Sequence, residues 1–405
     1  MKILICNVGS TSLKYKLFDM DNAETVLASG RIERVGAPMG HYAYGDSSHP
    51  TAEVDLPIPD YAAGIGMLTE HLLSSGAVVS LDELDCVGFK VVHAKGVTGV
   101  QLLDERVLSA MADFNTVAPS HNPPYIAAIR QFRRLLPNVP CIGSFETGFH
   151  AELPPEAYLY SIPKDVSERY AIRRYGFHGA SHEYVSGRVN ELLGRTDTRV
   201  ITCHLGGSGS LCAVKNGKSI DTNLGLSLQC GVFHNNRCGD LDPYILLYLM
   251  KDCGYTVERI EQMLNRESGM LGLSRVSNDL RDVEQAADAG NEDAKIAIEA
   301  YCYAVKKQIG AYLAALGGAD AIAFAGGIGE RSARVREKVL SGLGYAGILA
   351  DPEKNRSCRP DAEISAPESR VKLYVIATDE EIIVARKAKQ YLNAQRGVTE
   401  GTYAG

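Results

Sequence analysis

The chain has 405 residues, of which 45% are hydrophobic and 22% charged, a composition that excludes a disordered, collagenous or disulfide-stapled protein and leaves room for two or three domains. A net charge of −7 and a pI near 5.9 give no electrostatic footprint for nucleic acid or an anionic membrane, so neither is expected as a partner. Ten cysteines lie scattered without a C-x-x-C pair, which reads as reduced thiols. The N-terminal segment turns polar after six residues, and no run of about 18 apolar residues follows, so a cytoplasmic, soluble protein is expected.

Glycines cluster after apolar, β-branched runs, where the backbone must turn sharply or approach a ligand. Lys2–Asn7 predicts a strand, Val8–Ser12 a tight polar turn, and Leu13–Phe18, which alternates apolar and polar residues, a second strand. Helical patterns follow over Tyr61–Ser75, Leu103–Phe114, Pro124–Leu136 and Tyr184–Leu193. Arg199–His204, Leu205–Ser210 and Leu211–Lys215 repeat the strand, glycine-serine turn and strand of the N-terminus, which suggests a duplicated domain. Asn216-Gly217 then predicts a two-residue hairpin into Lys218–Asp221. Helical patterns resume over Asp242–Lys251, Asp279–Gly290 and Asn291–Leu316. Ala321–Phe324 is a strand leading through the glycine turn Ala325–Glu330 into a helix, Val371–Ile376 a strand and Asp379–Leu392 a closing helix. This order, without strict βαβ alternation, indicates two α/β domains with mixed sheets.

Several familiar nucleotide and metal motifs fail. Gly217-Lys218-Ser219 lacks the first P-loop glycine, since Cys212 stands there, and its lysine follows a hairpin turn instead of opening a helix. Gly327-Ile328-Gly329 lacks the third glycine of a dinucleotide fingerprint, Ser332 taking its place. His178 and His182 stand at helical spacing without the glutamate of a zinc-protease motif. What remains joins glycines, hydroxyls and amides to single cations, the inventory for holding phosphoryl oxygens without a covalent nucleophile. Each such cluster alone is more often a turn than a site. In Arg237–Pro243 a guanidinium stands beside two carboxylates, which suits either a surface ion pair or a fork aimed at phosphate.

On the segments Asn7–Lys14, Val91–His93, Ala118–Pro123, Tyr175–His182, His204–Gly206, Asn216–Thr222, Arg237–Pro243, Glu267–Gly272, Gly326–Glu330 and Thr378–Glu381, the sequence resembles the acetate kinase family, within the superfamily of acetate and sugar kinases and actin. The segments come in family order and span essentially the whole chain. The resemblance implies an α/β fold of two duplicated ribonuclease-H-like (actin-like ATPase) domains with an interdomain nucleotide cleft, and a homodimer. The domains would be 1–149 plus 387–405, and 150–386. The implied reaction is reversible, Mg2+- (or Mn2+-) and ATP-dependent phosphorylation of a short-chain carboxylic acid to an acyl phosphate by direct in-line transfer. Asn7 and Ser10 would face the transferred phosphoryl group and metal, with Ser12 and Lys14 supporting the first turn. His178 would hydrogen-bond equatorial phosphoryl oxygens and Arg237 would neutralise the carboxyl oxygens. Glu380, with Asn7 and Glu146, matches the metal-associated positions. His204, Gly206, Gly207 and Gly209 would line the phosphate path, and Asp279, Arg281, Gly327, Ile328 and Gly329 the adenosine site. Val92 and Phe177 match the pocket for the acid's alkyl group, in which Ser120 and Leu228 hold altered positions.

The chain departs from the family pattern at several of these places. Lys90 stands for the family arginine of G-H-R-V-V-H, and Glu146 for the aspartate of F-D-T. Lysine lacks arginine's planar fork, and we read a shorter cation beside a longer acid as one coupled change, which requires the two side chains to meet. Ser120 replaces a leucine and Leu228 a proline. A buried unpaired hydroxyl costs about 1–3 kcal/mol, so Ser120 predicts a polar partner and an acid other than, or besides, acetate. Gly207 and Arg331 each replace an asparagine, which weakens the adenosine side of the resemblance. Two further readings stay open: a nucleotide-binding member with lost or weak activity and a regulatory role, and, with less support, a sugar or polyol kinase.

Overall fold

The computed structural model describes residues 1–9, 11–46, 49 and 51–401. The chain forms two compact units, Met1–Gly148 with Asp379–Gly405, and Phe149–Thr378. The return to the first unit falls at Thr378/Asp379, ahead of position 387, because Glu380–Gly401 is a single continuous helix.

The first unit is built on an eight-stranded sheet of β1 (Lys2–Val8), β2 (Ser12–Asp19), β3 (Thr25–Glu33), β4 (Gly40–Asp46), β5 (Ala52–Leu56), β6 (Leu84–Val91), β7 (Val100–Leu102) and β8 (Cys141–Phe145), in the order β5-β4-β3-β2-β1-β6-β8-β7. β1 runs antiparallel to β2 and parallel to β6, which runs parallel to β8. A strand sandwiched between helices reads as a continuous apolar run, and KILICNV at β1 is such a strand. Phe89 on β6 meets Phe132 of helix Asn122–Leu135 edge to face at 5.3 Å. The opposite face at Gly88 lies under Val384 and Ala388 of helix Glu380–Gly401. The unit is therefore three-layered.

The second unit repeats the plan with β9 (Arg199–Leu205), β10 (Gly209–Lys215), β11 (Lys218–Thr222), β12 (Ala321–Ala325), β13 (Ala362–Glu363) and β14 (Lys372–Val375), ordered β11-β10-β9-β12-β14-β13. β9 is antiparallel to β10 and parallel to β12, which is parallel to β14. Ile201, Cys203 and Leu205 face helices Leu280–Asp288 and Glu292–Leu316, while Val200 faces Val185 and Val189 of helix Gly179–Leu193. The orders β3-β2-β1-β6-β8 and β11-β10-β9-β12-β14 share one pattern of two antiparallel pairings followed by two parallel ones, so the duplication expected from two similar turns is a duplication of topology.

Two expected elements begin elsewhere. Helix Gly179–Leu193 starts before Tyr184, directly after His178 in a left-handed conformation. The glycine turn before a helix at Gly326 is itself a short helix, Gly326–Arg331, whose Glu330 carboxylate accepts from the Gly326 amide at 3.0 Å. Gly326 has φ +74°, and a Cβ there would lie 2.7 Å from the Leu205 carbonyl oxygen. Among the described residues no helix is long and apolar enough to cross a membrane, and all ten cysteines are free thiols.

Candidate active site

In the first unit, Asn7, Lys90 and Glu146 stand at or just beyond the carboxyl ends of β1, β6 and β8, three neighbouring parallel strands. That is where an open α/β sheet presents ligands with side chains. Asn7 Nδ2 donates to Glu381 Oε1 at 2.8 Å, while its Oδ1 is buried with no partner among the described residues. Lys90 Nζ lies 3.1 Å from Glu146 Oε1 and also donates to Glu380 Oε2. Lys90 and Glu146 therefore do meet, as the coupled change required, and Glu380 joins them. Burial works to lower the pKa of the Lys90 ammonium, but the Glu146 and Glu380 carboxylates outweigh it and hold it well above the usual lysine value. Ser12 begins β2, and a Cβ on Gly9 would lie 2.4 Å from its Oγ, so a larger residue at this first turn would require the Ser12 hydroxyl to rotate away. Lys14 is exposed on β2, beside a cavity of about 330 Å3 that Glu381 also lines. Ser10 lies outside the described residues.

Of the acid-pocket candidates in this unit, Val92 is buried but Ser120 is exposed. The desolvation argument for a polar substrate does not apply to an exposed hydroxyl, and that expectation is withdrawn. In the second unit Phe177 is fully buried and Leu228 is 8% exposed.

The second unit surrounds His178 with imidazoles and hydroxyls. His178 Nδ1 is 2.7 Å from Ser210 Oγ, which is also 2.8 Å from His182 Nε2. His182 Nδ1 in turn bonds Thr202 Oγ1 at 2.7 Å. The His178 ring stacks on His204 at 4.3 Å, and His204 Nδ1 bonds Ser181 Oγ at 2.7 Å. The β9–β10 register explains the cluster: His204 stands opposite Ser210, and Thr202 opposite Cys212, so the polar residues share the face on which helix Gly179–Leu193 packs. Ser210, Ser181 and Thr202 are given no role by the sequence, and His182 enters there only as half of a failed zinc motif. Their signal was the i, i+4 histidine pair beside a strand with polar residues at i, i+2.

Burial drives His182 well below the usual imidazole pKa, with His150 and His204 adding to the shift, and drives His234 down with Arg237 adding to it. Below the unfolded-state value near 6.5 the unfolded chain takes up protons that these rings refuse. Stability is thus greatest above that pH and falls as pH drops, by up to about 1.4 kcal/mol per pH unit for each ring. Denaturant melts between pH 7.5 and 5.5 should show this decline, and His182→Gln should make it shallower.

Arg237 sits in a loop clamped by the start of helix Gly269–Ser274: Met270 N donates to His234 O and Leu271 N to Asn235 O. Gly269, at φ +64°, lies so close that a Cβ would come within 2.2 Å of the His234 carbonyl oxygen. Arg237 Nη1 donates to Leu228 O at 3.1 Å. Among the described residues no carboxylate pairs with this partly buried cation, whose pKa burial pushes down to about 10.

The turn at Gly206, Gly207 and Ser208 joins β9 to β10, and Asn235 N donates to Gly207 O at 3.2 Å. A Cβ at Gly207 would lie 3.4 Å from Asn235 Nδ2. Asn235 thus stands beside the position at which the family carries an asparagine. Gly209 N donates to His234 Nδ1 at 2.8 Å. Gly327, Ile328 and Gly329 belong to the short helix after β12, next to this turn. Asp279 caps helix Leu280–Asp288 by accepting from Arg281 N at 2.9 Å, and its pKa falls to about 2 through the Arg281 side chain and amide. Helix capping accounts for both residues as the structure stands.

The acetokinase family profile matches residues 2–386. The chain belongs to the acetokinase family. It is 43% identical over 396 residues to an acetate kinase of Clostridium botulinum (strain Kyoto / Type A2), covering 96% of this chain and 99% of the relative. Among solved structures it resembles an acetate kinase of Porphyromonas gingivalis, with TM-score 0.86 and 36% identity over 96% of this chain and 99% of the other. It also resembles a propionate kinase of Francisella tularensis subsp. tularensis SCHU S4, with TM-score 0.88 and 33% identity over 95% and 98%. Acetokinase family membership makes the two units actin-like ATPase-type domains and the chain a carboxyl-group phosphotransferase, with ATP and ADP as the family's co-substrates.

Proposed function

We propose that this chain phosphorylates acetate with ATP, reversibly, to give acetyl phosphate and ADP. The observation that carries the reading is Arg237, a partly buried guanidinium with no carboxylate partner among the described residues, in a chain of the acetokinase family. Such a cation is stabilised by an arriving anion, and its fork suits a carboxylate or acyl phosphate. His178 donates to the equatorial phosphoryl oxygens, where charge develops in the transition state. Val92, Phe177 and Leu228 pack the methyl group. Ser12, Lys14, His204, Gly206, Gly207, Gly209 and Gly327–Gly329 serve the nucleotide, with Asp279 and Arg281 toward adenosine. Lost activity is the weaker reading: Lys90 and Glu146 keep the family's charges and remain paired.

A divalent cation fits the first unit's residues. Asn7 Oδ1 is a buried oxygen without a partner among the described residues, and Glu146 and Glu380 bring two carboxylates to one point. A small set of carboxylate and amide oxygens suits Mg2+, an ion that keeps waters and takes substrate phosphates as ligands. When bound, Mg2+ neutralises phosphate charge.

Hydroxylamine trapping of acyl phosphate with Mg-ATP across acetate, propionate, butyrate and glycolate tests the function. We expect an acetate optimum with no advantage for glycolate, and silence in both directions would overturn the reading. The cytoplasm is the proposed compartment and a homodimer the proposed assembly. Helix Pro243–Lys251 (PYILLYLMK) buries none of its residues, leaving Tyr244 74% and Tyr248 60% exposed, an apolar surface of the kind that subunit contacts cover. Light scattering should give twice the chain mass for the wild type, and the monomer mass for the Tyr244→Glu, Tyr248→Glu double variant.

A further inference from the structure

We propose that Lys90 is a built-in counter-cation occupying the place of the divalent metal between Glu146 and Glu380, and that the metal binds only by expelling it. The inference rests on the kinase reading above. The two carboxylates come from distant segments, the end of β8 and the start of helix Glu380–Gly401, yet both converge on one ammonium nitrogen. Their side chains are only 4% and 13% exposed and that of Lys90 22%, so this is no solvated surface pair. Two shielded like charges at one point require a cation. Lysine can be a replaceable one, because it carries a compact charge on a flexible stem, whereas an arginine fork is held by its bidentate geometry.

Asn7 points the same way. Its Nδ2 is fixed on Glu381 and its Oδ1 is left buried without a donor among the described residues, an arrangement that suits a metal and that Lys90, engaged with two carboxylates, does not fulfil. Without nucleotide, the protein offers a metal too few oxygens to displace the ammonium. Nucleotide phosphates change the balance twice, by adding ligands for the metal and by giving the released ammonium an anion to meet. Metal and nucleotide therefore enter together, and Lys90 moves from the carboxylates to the phosphate.

The test is Mn2+ binding to the full chain without nucleotide, followed by electron paramagnetic resonance. Lys90→Met should bind Mn2+ at least about tenfold more tightly than wild type, since a unit charge a few ångströms away is removed. Lys90→Met with Glu380→Gln should lose that gain. Equal or weaker binding by Lys90→Met overturns the proposal. Should Lys90→Met fail to fold, amine labelling of the wild type read by mass spectrometry decides: saturating Mg2+ with a non-hydrolysable ATP analogue should change the labelling of Lys90 relative to the metal-free apo chain, whereas Mg2+ alone should leave it as it is. Unchanged labelling with the analogue, or a change with Mg2+ alone, overturns the proposal. Wild-type turnover of acetate alongside either negative result sinks this inference alone, whereas absent turnover sinks the kinase reading.

Discussion

Arg237→Ala is expected to lower kcat/KM for acetate by about two to three orders of magnitude, the usual scale for losing a charge-assisted contact to a developing or bound anion. Arg237→Lys should recover only part of it, because an ammonium cannot reproduce the two parallel hydrogen bonds of the guanidinium. Arg237→Ala should be at least as stable as wild type. A partly buried charge without an ion-pair partner is a burden on the ligand-free fold, and removing it relieves desolvation. Steady-state kinetics with a thermal melt separates this from a structural role: a variant that loses activity and melting temperature together would contradict it.

His178 should show the second large effect. His178→Ala is expected to lower kcat by about 10²–10³ with little change in KM, as when a single oxyanion donor is removed. The residue is held at φ 55°, ψ 30° immediately before helix Gly179–Leu193, a left-handed conformation costing a non-glycine residue about 1–2 kcal/mol. That strain is tolerated where it aims a side chain. His178→Gly should therefore be as inactive as His178→Ala and yet melt at a higher temperature than His178→Ala. Ser210→Ala, which removes the hydroxyl on His178 Nδ1, should lower kcat by less than either.

Legibility in the sequence followed the range of the interactions. The hairpin at Asn216-Gly217 was readable because its two positive φ values, 51° and 75°, are local demands met by those residue types. Helix Tyr61–Ser74 was readable from its apolar period and ends one residue short of the expected span. β3 to β5 were not singled out: β5 is exposed along most of its length and carries no core pattern. The start of helix Gly179–Leu193 was hidden because Gly-Ala-Ser-His offers no apolar period, and its position depends on the conformation of His178. At the site, motifs located Asn7, Lys90, Glu146, His178, Arg237 and Glu380 and led to the Lys90–Glu146 contact, but not to most of the others. Glu381 holding Asn7, Glu380 meeting Lys90 and Asn235 beside Gly207 are all contacts across long stretches of chain. Ser120 failed for a related reason, since whether a loop residue is covered is set by its surroundings and not by its neighbours in sequence.

The first unit is assembled from both ends of the chain, and its sheet is covered on one face by helix Glu380–Gly401. The second unit is continuous. During translation the interior half of the molecule can thus complete its core while the N-terminal sheet still shows the ribosome and its chaperones the apolar face around Gly88. Glu380 reaches Lys90 only when that last helix docks, so Lys90, Glu146 and Glu380 come together in the final folding event, and a ribosome that stops early releases a chain with one finished half and without that cluster.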